Sequence, residues 1–176
     1  LNSDGSRDVT LPAGTGFGAG GQVLALAVQV DGRIVAGGTF TTYNGTTANR
    51  IVRLDGANGA LDAAFTTATG AGFANTVNAL AVQTDGRILV VGAFATLNNA
   101  TQFGLARLQS TGAPDAGVTA SCRAPGTVFV VQPVAGDKLV LGGLFTHVND
   151  VPAANIARLT SAGATDPTFI SYAVFC

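Results

Sequence analysis

The 176-residue chain has no glutamate, no methionine and no tryptophan, only one lysine (Lys138), one histidine (His147) and two cysteines (Cys122 and Cys176). Each scarcity closes a class of function. Without Glu and with a single His, H-E-x-x-H zinc sites, multi-histidine metal centres and Glu-based glycosidase pairs are excluded. The nine basic residues are scattered singly and the net charge is −1, which leaves no electrostatic footprint for a phosphate backbone, so nucleic acid is not an expected partner. The longest apolar runs, 23–28 and 88–91, fall far short of the ~18 residues of a membrane span. The missing methionine implies that Leu1 follows a cleavage or an upstream segment. Charged residues make up 11% of the chain and mean hydropathy is +0.40, which excludes a disordered polymer. A chain of this length buries enough surface to fold as one unit without a metal or a disulfide.

What the sequence does contain is repetition. Three segments align along nearly their full length with a period of about 54 residues. One block runs from Leu24 to Asn44, from Leu80 to Asn98 and from Phe129 to Asn149, and Phe40, Phe94 and Phe145 coincide in it. A second runs from Ile51 to Phe65, from Leu105 to Val118 and from Ile156 to Phe169. There Arg53, Arg107 and Arg158 coincide, as do Asp62, Asp115 and Asp166, with Asp8 as their N-terminal equivalent. We read a single repeat domain over 1–176, with repeats at about 1–53, 54–107 and 108–158 and a partial fourth at 159–176.

Each first block is an apolar run, a turn and a second apolar run, which is the pattern of a β-hairpin. Asp31-Gly32 and Asp85-Gly86 predict tight type I′ turns, whose central residues need φ > 0. Both residue sets along these strands are apolar (Leu24, Leu26 and Val28 against Ala25 and Ala27), which predicts cover on both faces. The more polar second block predicts an outer hairpin. Four antiparallel strands per repeat, stacked face to face, describe an all-β, propeller-like fold of three blades. A β-prism or β-trefoil is the alternative, because three repeats are fewer than the usual 4–8 blades. The Gly pairs at 37–38 and 142–143, with Gly92 between, suit close backbone approach where blades converge.

No catalytic, cofactor-binding or metal site emerges. Gly16 to Gly21 fits G-x-G-x-x-G, but Gln22 leads into a hairpin rather than a helix, so the dinucleotide reading fails. His147 aligns with Thr42 and Thr96, which marks surface variation, and no Gly-x-Ser-x-Gly elbow occurs. The recurrent Arg and Asp predict a hydrogen-bonded brace, the Asp holding turn amides and the Arg stem packed between blades. Cys122 and Cys176 are compatible with one disulfide or with two isolated buried thiols, and spacing leaves both open. Asn44-Gly45-Thr46 and Asn99-Ala100-Thr101 are N-x-T acceptors, read as glycosylation positions in equivalent loops at Asn44 and Asn99.

Leu1-Asn2-Ser3-Asp4-Gly5, Gln29 to Phe40 and Asn49 to Leu54 resemble the delta-60 repeat of bacterial proteins, and the resemblance covers essentially the whole chain. It departs in the third repeat, at Cys122 to Pro125 and around Pro133 to Gly136. The resemblance implies a propeller-like fold in large secreted or surface proteins and hands over no catalytic residues. We therefore expect a non-enzymatic extracellular or cell-surface structural protein, a homo-oligomer or polymer forming fibres or layers. Its terminal strands are the expected assembly elements. Leu1 and Asn2 begin half an outer hairpin, and Tyr172, Ala173, Val174 and Phe175 form a strand without its return. The alternative is a display module that binds glycans or a protein partner.

Overall fold

The computed structural model describes residues 3–6, 8, 9, 14–118, 120–123 and 126–169. In the first repeat β1 (Val23–Val28) turns back into β2 (Ile34–Gly38), a small hairpin of β3 (Thr42–Tyr43) and β4 (Thr46–Thr47) follows, and β5 (Ile51–Leu54) returns alongside β2. A helix, α1 (Ala63–Thr69), leads to the second repeat. There β6 (Val77–Val82), β7 (Ile88–Gly92), β8 (Thr96–Leu97), β9 (Ala100–Thr101) and β10 (Leu105–Leu108) repeat the pattern. The third adds one strand, β11 (Cys122–Arg123), before β12 (Thr127–Val134), β13 (Lys138–Leu144), β14 (His147–Val148), β15 (Val151–Pro152) and β16 (Ile156–Leu159).

Three antiparallel blade sheets result, ordered β1-β2-β5, β6-β7-β10 and β12-β13-β16, with the smaller sheets β3-β4, β8-β9 and β11-β14-β15 beside them. The expected outer hairpin is present in reduced form: a fourth segment touches each sheet through one bridge, Leu54 to Leu61, Leu108 to Pro114 and Leu159 to Thr165. The chain is thus all-β and propeller-like, with blades stacked in sequence order.

Period-two alternation decides what each blade faces. Val35 and Ile51 of the first blade meet Ile88, Val90, Ala106 and Leu108 of the second in one buried cluster. Leu89, Val91 and Leu105 on the opposite face of the second blade meet Leu139, Leu141, Ala157 and Leu159 of the third. Phe40, Phe94 and Phe145 each sit 1% exposed at the same repeat position. Burying one such ring contributes about 1.5–3 kcal/mol.

Three sequence expectations need correction. β1 is not covered on both faces, because its outward face belongs to an end blade: Leu26 and Val28 are 65% exposed, and their neighbour Leu24 is 47% exposed. The turns at Asp31-Gly32 and Asp85-Gly86 are not two-residue type I′ turns. Gln29 and Arg33 close a three-residue loop in which Gly32 donates to the Gln29 carbonyl at 2.9 Å and alone takes φ +82°. That is a type I turn ending in a glycine bulge, and Gln83 to Arg87 repeats it with Gly86 at φ +83°. Gly38, Gly92 and Gly143 make their close approach within a blade rather than between blades. Each lies opposite a bulge in the first strand, where a Cβ would fall about 2 Å from the carbonyl oxygen of Gln22, Thr76 or Thr127. Gly37 alone of these meets the next blade, at the side chains of Val77 and Leu80.

The short helix was not anticipated. Asp62 caps it, with Oδ1 accepting the Phe65 amide at 3.1 Å, and Ala63-Ala64 supply strong helix formers. Gly70 at φ +68° ends it, donating to Thr66 and Thr67 carbonyls.

Candidate functional site: repeated braces and the grooves beside them

The second strand pair of each blade carries an arginine directed at an aspartate eight or nine positions ahead. Arg53 donates through Nε and Nη2 to Asp62 Oδ2 at 3.0 and 2.8 Å, Arg107 Nε to Asp115 at 2.7 Å, and Arg158 Nε to Asp166 at 2.8 Å. The other oxygen of each aspartate holds the turn that follows, accepting the amide of Phe65, Gly117 or Thr168. The Arg53 guanidinium lies 4.6 Å from the Phe65 ring and that of Arg158 4.9 Å from Phe169. Valine occupies the middle equivalent, Val118.

The second arm of the arginine reaches the next blade. Arg53 Nη1 donates to the Ser110 carbonyl, and Arg107 Nη1 to the Ser161 carbonyl at 2.7 Å. The brace expected from the sequence is therefore present and also ties repeat to repeat. Burial pushes the Asp115 carboxyl up, but the Gly117 amide and the Arg107 guanidinium outweigh it and hold the group below the usual carboxylate range. Asp62 behaves alike, with the Phe65 amide and Arg53 as the lowering partners. Asp166 is also lowered, first by Lys138 Nζ at 2.8 Å and then by Thr168. These carboxylates are occupied, charged and pinned, which is the opposite of a poised general base.

Beside two braces lies an open groove at one repeat position. In the second repeat it measures about 390 Å³ and is lined by Leu97, Gln102, Pro114 and Val118 around Arg107 and Asp115. In the third it measures about 230 Å³, with Val151, Ala153, Thr165 and Phe169 around Arg158 and Asp166.

The remaining sequence candidates scatter. His147 stands in β14 with Nδ1 2.9 Å from Thr146 Oγ1. Among the described residues no three His, Cys, Asp or Glu side chains come together as metal ligands. Cys122 is fully buried, has no disulfide partner among the described residues, and burial pushes its thiol up to about 12. Its backbone pairs with Val148 where Phe17 pairs with Tyr43 and Phe73 with Leu97, so the cysteine fills an aromatic residue's place. Its suggested partner Cys176 lies outside the described residues. So do Leu1, Asn2, Tyr172, Ala173, Val174 and Phe175.

Asn44 and Asn99 do not occupy equivalent positions. The small hairpins turn at Asn44-Gly45, Asn98-Asn99 and Asn149-Asp150, all six residues at positive φ, so Asn44 is the first turn residue and Asn99 the second. The equivalents of Asn44 are Asn98 and Asn149, a set that sequence reasoning missed. Their Oδ1 atoms accept the amides of Gly16, Ala71 and Ser121 at 2.7, 3.0 and 2.9 Å, tying each hairpin to the segment leading into its blade. Asn-Gly between short strands was the available signal.

Three blades joined by arginine braces, with no assembled acid-base or metal constellation among the described residues, define a propeller-type repeat scaffold. A family profile described as "Domain of unknown function (DUF5122) beta-propeller" matches residues 29–65, 83–117 and 137–169, one segment per blade, and the chain belongs to that family. Comparison with curated proteins returned no match. Among the described residues no helix is long and apolar enough to cross a membrane.

Proposed function

We propose that this chain is a non-enzymatic structural unit of the delta-60 type that assembles with copies of itself into an extracellular fibre or surface layer. The observation that supports assembly is the state of the two end blades. Ile156 is 40% exposed, whereas its equivalents Ile51 and Leu105, covered by the following blade, are 3% and 0% exposed. Leu26 is 65% exposed, whereas Val131 at the same position of the third blade is 8% exposed. Apolar sheet faces left open in this way mark association surfaces. The extracellular placement follows from the resemblance alone.

Electron microscopy and light scattering of the purified chain test the reading. Rings, fibres or sheets are the expected products, and isolated particles of 17.5 kDa at high concentration count against it. A second reading, a display module for glycans or a protein, is favoured by the recurrence of the groove in two repeats. Binding to a glycan array that is lost on filling the groove from its exposed rim (Ala116→Phe) would move that reading to first place.

A further inference from the structure

The internal blade contacts supply a template for what covers the open ends. Each junction within the chain joins the trailing face of one blade to the leading face of the next. Each also carries one bond of fixed type, from an arginine Nη1 to the carbonyl at the second residue of the next blade's outer turn. Among the described residues the third blade possesses the donor without the acceptor. Arg158 uses Nε on Asp166 and Nη2 on Thr168 Oγ1 at 2.8 Å, and its side chain is 26% exposed against 7% for Arg53 and 5% for Arg107. Among the described residues the first blade possesses the acceptor without the donor. Gly56 stands where Ser110 and Ser161 stand, in an exposed turn.

We propose that a second copy of this chain covers the trailing face of the third blade with the leading face of its own first blade, Arg158 Nη1 donating to the Gly56 carbonyl of that copy. The proposal rests on the self-assembly reading above and specifies its partner, direction and register. The apolar parts match as they do inside the chain. Val130 (59% exposed), Val140 and Ile156 present the trailing face, and Leu26 and Val28 of β1 the leading one, Val52 being already buried among Ala36, Phe40 and Tyr43 of its own repeat. Such a contact joins unlike faces, so it propagates head to tail and yields a ring where the rotation closes and a filament where it does not.

One element competes for the same place. Residues 3–6 and Asp8 repeat the outer turn of a preceding blade, Gly5 at φ +83° matching Gly163 at φ +84°. In the stacked pair this segment of the second copy and residues 161–166 of the first would coincide. The leading segment is the one that yields, because Ser3 to Ser6 are exposed and Asp166 is buried under Arg158 and Lys138.

Sedimentation of the full chain over a wide concentration range tests the proposal, with Leu26→Asp and Ile156→Asp as face variants and circular dichroism to confirm folding. Both substitutions lie at exposed positions. Each variant alone is expected to associate at least tenfold more weakly than the parent. Mixed, they are expected to form a discrete heterodimer, since one copy keeps a sound trailing face and the other a sound leading face. Arg158→Lys, which keeps the charge beside Asp166 and loses the second arm, is expected to weaken association about tenfold. A chain lacking residues 1–9 is expected to associate at least as tightly as the parent. If both face variants associate like the parent, the end faces do not drive assembly and the reading in the preceding section falls with the proposal. If they weaken association but the mixture does not recover, or Arg158→Lys has no effect, or the shortened chain fails to associate, the end faces remain and the head-to-tail register is overturned.

Discussion

Arg107 donates through Nη1 to the carbonyl oxygen of Ser161, 54 positions further along the chain, at 2.7 Å. The separation is one repeat, so this bond converts a sequence period into a blade junction. The same guanidinium is anchored by Asp115 in its own blade, and the side chains are 5% and 10% exposed. A pair this far from solvent is weak evidence of net stabilisation, but removing one partner strands the other.

Replacing Asp115 by Ala leaves the Arg107 charge buried with only a carbonyl partner and frees the Gly117 amide. We expect a loss of about 3 kcal/mol, read as a shifted midpoint in urea unfolding. A midpoint within error of the parent would refute the brace.

Acid should unfold the protein through the same carboxylates. Asp62, Asp115 and Asp166 all titrate below the ordinary value of 3.8 when folded. A group with a depressed folded pKa contributes stability in full above its unfolded pKa and loses it as pH falls toward the folded one. The melting temperature should therefore hold from about pH 8 to pH 5 and drop below about pH 4. Calorimetry across that range checks it, and an acid limb no shallower in Asp115→Asn than in the parent would contradict the assignment.

The turns separate by what they demand of the backbone. Gly86 sits at φ +83° with only Ser110 Cβ near, at 3.6 Å from a built Cβ, so the obstacle to a side chain there is conformational. Gly86→Val should cost about 2 kcal/mol, and Gly86→Asn less than half of that, because Asn tolerates the left-handed region. Equal losses in thermal unfolding would show that packing rather than φ decides. Asn98→Ala removes the acceptor of the Ala71 amide and puts alanine at φ +49°, for an expected loss of about 1–2 kcal/mol.

These turns also show how far the sequence carries. Blade number and the Arg-Asp brace follow from coincident positions, because a repeat prints its contacts three times, whereas the fourth strand expected in each blade is reduced to a single bridge. The turn types did not follow. Asp-Gly suits both a type I′ turn and a glycine bulge, and only the three residues between Gln29 and Arg33 decide. Asn44-Gly45 carries the type I′ signal, with both residues at positive φ, and the N-x-T triplet that contains it masks that backbone role. The exposure of β1 was illegible for a different reason: an end blade carries the same apolar residues as a central one. The second arm of the arginine was illegible because its acceptor is a backbone carbonyl, which every residue type provides.

The cysteines allow the last test. Cys122 is buried at a position where the first two repeats bury Phe17 and Phe73, and its thiol is pushed up to about 12, so almost no thiolate exists at neutral pH. In the folded protein Cys122 should resist maleimide and aromatic disulfide reagents at pH 8, and it should react at once in denaturant. A Cys122–Cys176 bridge would instead close a loop long enough to contribute roughly 3–5 kcal/mol by chain-entropy estimates. It would also leave neither thiol free in denaturant without reductant. Mass spectrometry after denaturing alkylation distinguishes the two states: two labels show isolated thiols, and none shows the bridge. Labelling of Cys122 in the native protein, at a rate near that in denaturant, would contradict its burial in either state.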